Sequence, residues 1–101
     1  MSQVVSMVRG MVEPGRLDEV LLPYQAALAE GLPAAIVDTY LGRTVDGSVV
    51  ILTVWRDRSD LEAMRASDEE PFARKLIREA GGEPTAEFLD VLASTTAGLS
   101  G

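Results

Sequence analysis

Few side chains in this sequence can do chemistry, and the first constraint is what is missing. None of the 101 residues is histidine or cysteine. That removes the commonest general base at neutral pH, the commonest metal ligand and every thiolate site. No phosphate-binding glycine loop, dinucleotide motif, zinc spacing or nucleophile triad can be assembled from the rest. What remains is Trp55, the single tryptophan, with Tyr40, Arg9, the carboxylates of Asp38 and Asp90, and the thioether of Met64. Such a set can stack a planar ring, stabilise its anion with a guanidinium and exclude water. It offers no metal site, and Met64 without a histidine is a poor haem ligand, so neither metal nor cofactor is expected.

These residues depend on elements that the apolar pattern predicts. Residues 3–12, QVVSMVRGMV, read as a strand. Pro14 opens a helix in which Leu17, Val20, Leu21, Tyr24 and Leu28 recur at helical spacing to about Glu30, where Gly31 and Pro33 stop it. Pro23 predicts a kink there rather than two helices, because it deletes a hydrogen bond and crowds the Glu19 carbonyl. Residues 34–43 and 48–56 are strands around TVDG, and Asp46-Gly47 is a hairpin signal. Ser59 with Glu62, and Ser67 with Glu70, repeat the S-x-x-E capping box and predict short helices over 59–66 and 68–80. Asp68, Glu69 and Glu70 then read as charges favoured at a helix N-terminus. Residues 86–94 make a last strand, and 95–101 a flexible tail. The whole, 1–101, is a single domain of α+β class: a ferredoxin-like βαββαβ fold with an antiparallel sheet in the order 4-1-3-2.

Alternation sorts the strand faces. Val50, Leu52 and Val54 are aliphatic and are expected to face the helices. Val49, Ile51, Thr53 and Trp55 then lie on a mixed face, joined by Arg9, Asp38, Tyr40, Phe88 and Asp90, and that face reads as a lined cavity. Arg9 in an apolar strand needs a partner, and Asp90 on the neighbouring strand is the expected one. The pair would be structural, or else Arg9 would orient an anionic or phenolate ligand. Asp38 and Tyr40 serve either the pocket or a subunit interface. Trp55 is either pocket wall or core, and Met64 a filler of gaps.

Apolar residues make up 47% of the chain, and the strands are too apolar for one sheet face to stay in water. A homodimer packed sheet on sheet is the expected remedy. With 9 Lys+Arg against 16 Asp+Glu and a net charge of -7, nucleic acid and anionic lipid are excluded as main partners. No apolar run approaches a membrane span and the N-terminus lacks a secretory pattern, so a cytoplasmic location is expected.

The strand ending in VILTVW and the following RDRSDLEAMRAS resemble the antibiotic biosynthesis monooxygenases, the dimeric α+β barrel proteins. There a strand-terminal tryptophan precedes a segment of the type LxAHLAS. Leu61, Ala63, Ala66 and Ser67 fall in register, Trp55 matches the pocket tryptophan, and Met64 stands at the histidine position. The resemblance implies a homodimer with one pocket per subunit between sheet and helices. It also implies an activity: oxidation of a small phenolic or quinone-type aromatic by oxygen, without metal or flavin. The alternative is a non-catalytic dimer that binds a small ligand or acts as an interaction module. A large cavity beside Trp55 favours the enzyme; one filled by Met64, Met7 and Phe88 favours the alternative.

Overall fold

The computed structural model describes residues 3–67 and 70–93. Strand β1 (Val4–Met11) leads through a 3-10 turn (Pro14–Arg16) into helix α1 (Asp18–Glu30). Then come β2 (Ile36–Arg43), β3 (Ser48–Trp55), α2 (Arg58–Ala66), α3 (Phe72–Glu79) and β4 (Thr85–Asp90). All strand pairs are antiparallel and the order is β2-β3-β1-β4, which is 4-1-3-2 read from the other edge. This is the α+β ferredoxin-like arrangement. The tail at 95–101 lies outside the described residues, as do Asp68 and Glu69.

Local chemistry explains where the elements start and turn. Helix α1 passes through Pro23 as one element and buries Val20 and Tyr24, one turn apart. In the β2–β3 hairpin only Gly47 takes a positive φ, 94°. Asp46 instead accepts a hydrogen bond from the Thr44 hydroxyl and one from the Ser48 N–H at 3.1 Å, and these hold its carboxyl below the usual value. Helix α2 is capped by Asp57 rather than by the Ser59–Glu62 box. The Asp57 backbone is extended, and its carboxylate accepts from the Ser59 N–H at 3.2 Å and the Ser59 hydroxyl at 2.6 Å. An ionised carboxylate is a stronger acceptor than a hydroxyl, so the helix starts a residue early. Ser67 ends α2 instead of opening α3, which begins after Pro71, a residue pre-set for a helix start. Glu70 reaches forward to Arg78 at 2.7 Å.

The helices cover the face of β3 that carries Val49, Ile51, Thr53 and Trp55, all buried, while Val50, Leu52 and Val54 are half-buried. The expected assignment of faces is therefore reversed. A helix layer does not demand a purely aliphatic floor when a cavity separates part of it from the sheet, as it does here. On the open side Val5, Met7, Val50, Leu52 and Val54 are covered by no other element among the described residues, and Tyr40 and Leu89 stand beside them, 56% and 43% exposed.

Two buried clusters hold the helix side together. One joins Val8, Val12, Val20, Tyr24, Val49 and Ile51 to Leu76, Ile77 and Ala80 of the α3 region. Ile77 packs close over Gly10, where a Cβ would stand 2.6 Å from Ile77 Cγ2. The other joins Val4, Trp55 and Leu61, with Ala35, Ile36 and Met64 against it.

Candidate functional site: a hydroxyl-floored cavity beside Trp55

Between sheet and helices lies a cavity of about 490 Å³ that touches both clusters: Val8, Tyr24 and Ile51 from the first, Trp55, Ile36 and Met64 from the second. Its floor follows from strand register. Ser6 of β1 pairs with Thr53 of β3, Thr53 with Thr39 of β2, and Ser6 with Phe88 of β4. Thr39, Thr53, Ser6 and Phe88 thus form one transverse row across all four strands, on the helix side. With strands about 4.8 Å apart, the row spans about 14 Å. The row on one side is Ile36, Trp55, Val4 and Asp90, and the row on the other is Leu41, Ile51, Val8 and Ala86. Three hydroxyls therefore cross an otherwise largely apolar floor, and buried polar groups of that kind call for an explanation.

The hydrogen bonds fix what each hydroxyl can still offer. Thr39 Oγ1 donates its only proton to the Leu52 carbonyl at 3.0 Å. Tyr24 Oη lies 2.9 Å from Thr39 Oγ1 and must therefore be the donor in that contact, leaving its lone pairs as acceptors. Trp55 Nε1 donates to Ser6 Oγ at 3.0 Å in a buried contact, so the Ser6 proton is free to donate. Thr53, 8% exposed, makes no side-chain hydrogen bond among the described residues. Of these hydroxyls, Ser6 and Thr53 can donate into the cavity and Tyr24 can accept.

Exposed and half-buried residues form the rim: Leu28, Leu32 and Phe72 with the cations Arg65 and Arg74. The Arg65 guanidinium stands 4.7 Å from the centroid of Phe88, a cation–π contact at the β4 end of the hydroxyl row. Arg74 gives one long hydrogen bond, 3.5 Å, to the Pro84 carbonyl. No carboxylate lines the cavity among the described residues. The lowered carboxyls lie elsewhere: Glu19, held down by a hydrogen bond from Arg16; Asp46; Asp57, by its bonds from Ser59; and Glu70, by Arg78 first, with Arg74 and Lys75 adding to the effect.

Of the residues singled out from sequence, Trp55 and Met64 line the cavity, as do Thr53 and Phe88 of the mixed face. Arg9 does not. It is exposed on the open face opposite Val50, and Asp38 and Tyr40 share that face opposite Val54 and Leu52. The expected Arg9–Asp90 pair does not form. Arg9 stands opposite Thr85 and Asp90 opposite Val4, five residues apart, about 17 Å along a strand. Asp90 pairs with Arg58 instead. Sequence reasoning missed Ser6, Tyr24, Thr39, Arg65 and Arg74 as site residues. A signal existed for two of them: Arg65 follows the buried Leu61 by four positions and Tyr24 follows Val20 by four, which puts each on its helix's inner face.

An antiparallel ferredoxin-like sheet with a ligand-sized cavity beneath its helices is a widely used binding architecture. No family model matches this sequence, and no curated protein matches it. Solved structures do. Rv0793 from Mycobacterium tuberculosis is similar over 94% of this chain and 100% of its own, at 19% identity and a TM-score of 0.68. An antibiotic biosynthesis monooxygenase covers 89% of this chain and 99% of its own at 16% identity, TM-score 0.62. SnoaB, a cofactor-independent oxygenase from Streptomyces nogalater, covers 95% and 97% at 23% identity, TM-score 0.58. The chain has the fold of the antibiotic biosynthesis monooxygenases, the family its sequence resembles.

Proposed function

We propose that this protein is a homodimeric monooxygenase of the antibiotic biosynthesis type, which binds a small oxygen-substituted aromatic in the cavity beside Trp55 and oxidises it with molecular oxygen, without metal or flavin. One observation carries the reading: a cavity of about 490 Å³, inside the range of about 300–1,000 Å³ usual for ligand sites, runs beside Trp55 over a row of hydroxyls. Met64 and Phe88 line this space without closing it, and Met7 lies on the opposite sheet face.

In this reading Trp55 stacks the ring, Ser6 and Thr53 donate to its oxygen substituents, Tyr24 accepts from a hydroxyl, and Met64 adapts to the ring edge. The activated ring methylene releases its first proton to water in the cavity mouth, since no carboxylate of the described lining can take it, and the carbanion so formed supplies the electrons to oxygen. An activated ring methylene becomes a carbonyl, one oxygen atom is retained and the other leaves as water. Arg9, Asp38 and Tyr40 belong to the dimer face, with Val50, Leu52 and Val54, and Asp90 to an ion pair with Arg58. SnoaB supports the oxygenase assignment by fold and by what that protein does.

A second reading, a carrier that binds the same ligand without turning it over, is favoured by the absence of a carboxylate base from the described lining. Titrating Trp55 fluorescence with anthrones, flavonoids and quinones, with Trp55→Phe as the blank, tests both. Saturable quenching with oxygen uptake supports the enzyme, and quenching without uptake the carrier. No quenching removes the site.

A further inference from the structure

Resting on the reading of the cavity as a ligand site, we infer that residues 25–33, the last turns of α1 and the loop behind them, are a lid that swings about Pro23 to open and close that cavity. The two ends of α1 are held very differently. Val20 and Tyr24, the helix's only buried residues, join Leu76, Ile77 and Ala80 in the larger cluster. From Gln25 to Ala34 no residue is buried, and among the described residues no side chain of this stretch makes a hydrogen bond or ion pair. Yet Ala27, Leu28 and Leu32 line the cavity. Attachment to the sheet resumes at Ala35, whose carbonyl accepts from the Arg56 N–H at 2.8 Å.

Both ends of the stretch are made to turn. Pro23, exposed inside α1, has no N–H, so the Glu19 carbonyl lacks its helical donor, and proline is a usual site of bending within a helix. The pivot is nonetheless anchored. Tyr24, next in the chain, is buried, and its hydroxyl donates to Thr39 Oγ1 at 2.9 Å, the one side-chain hydrogen bond from α1 to the sheet among the described residues. At the far end Gly31 takes a φ of 97°, and Pro33 follows. Closure has a driving force. Leu28 and Leu32, each 41% exposed, share the cavity rim with Phe72, 50% exposed, and all three lie on the helix side, away from the open sheet face. Narrowing the mouth over a ligand takes their apolar surface out of water. Opening then sets the rate at which ligands come and go.

The chain has one tryptophan and no cysteine, so a single introduced cysteine can carry a dansyl acceptor for Trp55. Acceptors at Ala29→Cys on the lid and at Asp18→Cys on the fixed end, both exposed positions, are compared by time-resolved fluorescence in the ligand-free, full-length protein. An excess of unlabelled Trp55→Phe chain keeps the transfer within one protomer. The distance distribution from Trp55 should be wider at 29 than at 18. Pro23→Ala, which restores the missing helical hydrogen bond, should narrow it, and Tyr24→Phe, which frees the pivot, should raise the open population about fivefold, the weight of one hydrogen bond. In stopped-flow quenching of Trp55 by 1,8-dihydroxyanthraquinone, Pro23→Ala should slow association and dissociation together by about fivefold and leave the affinity unchanged. Equal widths at the two positions overturn the inference. So does a wide distribution at 29 that neither substitution alters, because the motion is then fraying from the helix end, and so do binding rates that Pro23→Ala leaves untouched. If the anthraquinone does not quench Trp55, the aromatic reading fails, and the ligand-free distances still decide the lid.

Discussion

Replacing Ser6 with alanine removes one oxygen atom, and the consequence can be worked from a single contact. Trp55 Nε1 donates to Ser6 Oγ at 3.0 Å, with Ser6 6% and Trp55 9% exposed. A net hydrogen bond of this kind contributes about 1 kcal/mol, and an indole N–H left dry costs up to about 3 kcal/mol. The neighbouring cavity, about 490 Å³, admits water to the orphaned N–H, so the expected loss is at the low end, about 1 to 1.5 kcal/mol. For a chain of 101 residues that lowers Tm by about 5–8 °C. Trp55→Phe removes the same bond from the other side, so the two changes should couple by about 1 kcal/mol in a double-mutant cycle. Urea denaturation followed by circular dichroism is the assay, at a fixed protomer concentration because association would add to stability. Losses that simply add, within about 0.3 kcal/mol, would refute the claim that this bond contributes to stability.

Four further outcomes are expected. Gly10→Ala should cost about 1–3 kcal/mol by forcing Ile77 away, whereas Gly42→Ala, which meets nothing within 4 Å, should not destabilise by crowding; denaturation midpoints of the two variants decide it. Tyr24→Phe should cost about 1 kcal/mol and weaken hydroxylated ligands more than their methyl ethers, read by titration. On the open face Leu52→Glu should convert the proposed dimer to monomer in sedimentation at micromolar concentration. Finally, hydrogen bonds to Asp57, from the Ser59 side chain first, lower its folded pKa below 3.8, so its contribution is present above that value and lost as pH falls through the lowered one. Asp57→Asn should therefore flatten the acid limb of stability measured from pH 7 down to pH 2.

The order of elements was legible because it rests on local signals: alternating apolar runs, a Gly-Pro stop after α1, a glycine in the hairpin; the sheet order then followed as the usual one for a βαββαβ chain. The two faces of the sheet were not. Alternation separates Thr53 and Trp55 from Leu52 and Val54 but does not say which pair meets the helices, and that depends on the cavity and on what covers the other side. Strand β2 shows a subtler obstacle. A bulge between Ile36 and Asp38 puts Ile36 opposite Trp55 and Thr39 opposite Thr53, so parity counted through residue 37 changes side. The Arg9–Asp90 expectation failed on register, which turns and packing set over a distance that no local pattern reports. Ser6 and Thr39 passed unnoticed because small hydroxyl residues are ordinary in strands, and only their alignment across three strands sets them apart.

The division of the interior into two apolar clusters with a space between them bears on how long the protein lasts in a cell. An empty gap leaves its walls without neighbours, and a bound molecule would act as the missing piece of the interior. At a free concentration one hundred times its dissociation constant, such an occupant adds about 2.7 kcal/mol of stability. Since proteases act on whatever fraction is open, the steady-state amount of this protein would then rise and fall with the supply of the compound it holds. Were the proposed ligand to bind, abundance itself would become a readout of it, independent of whether any turnover takes place.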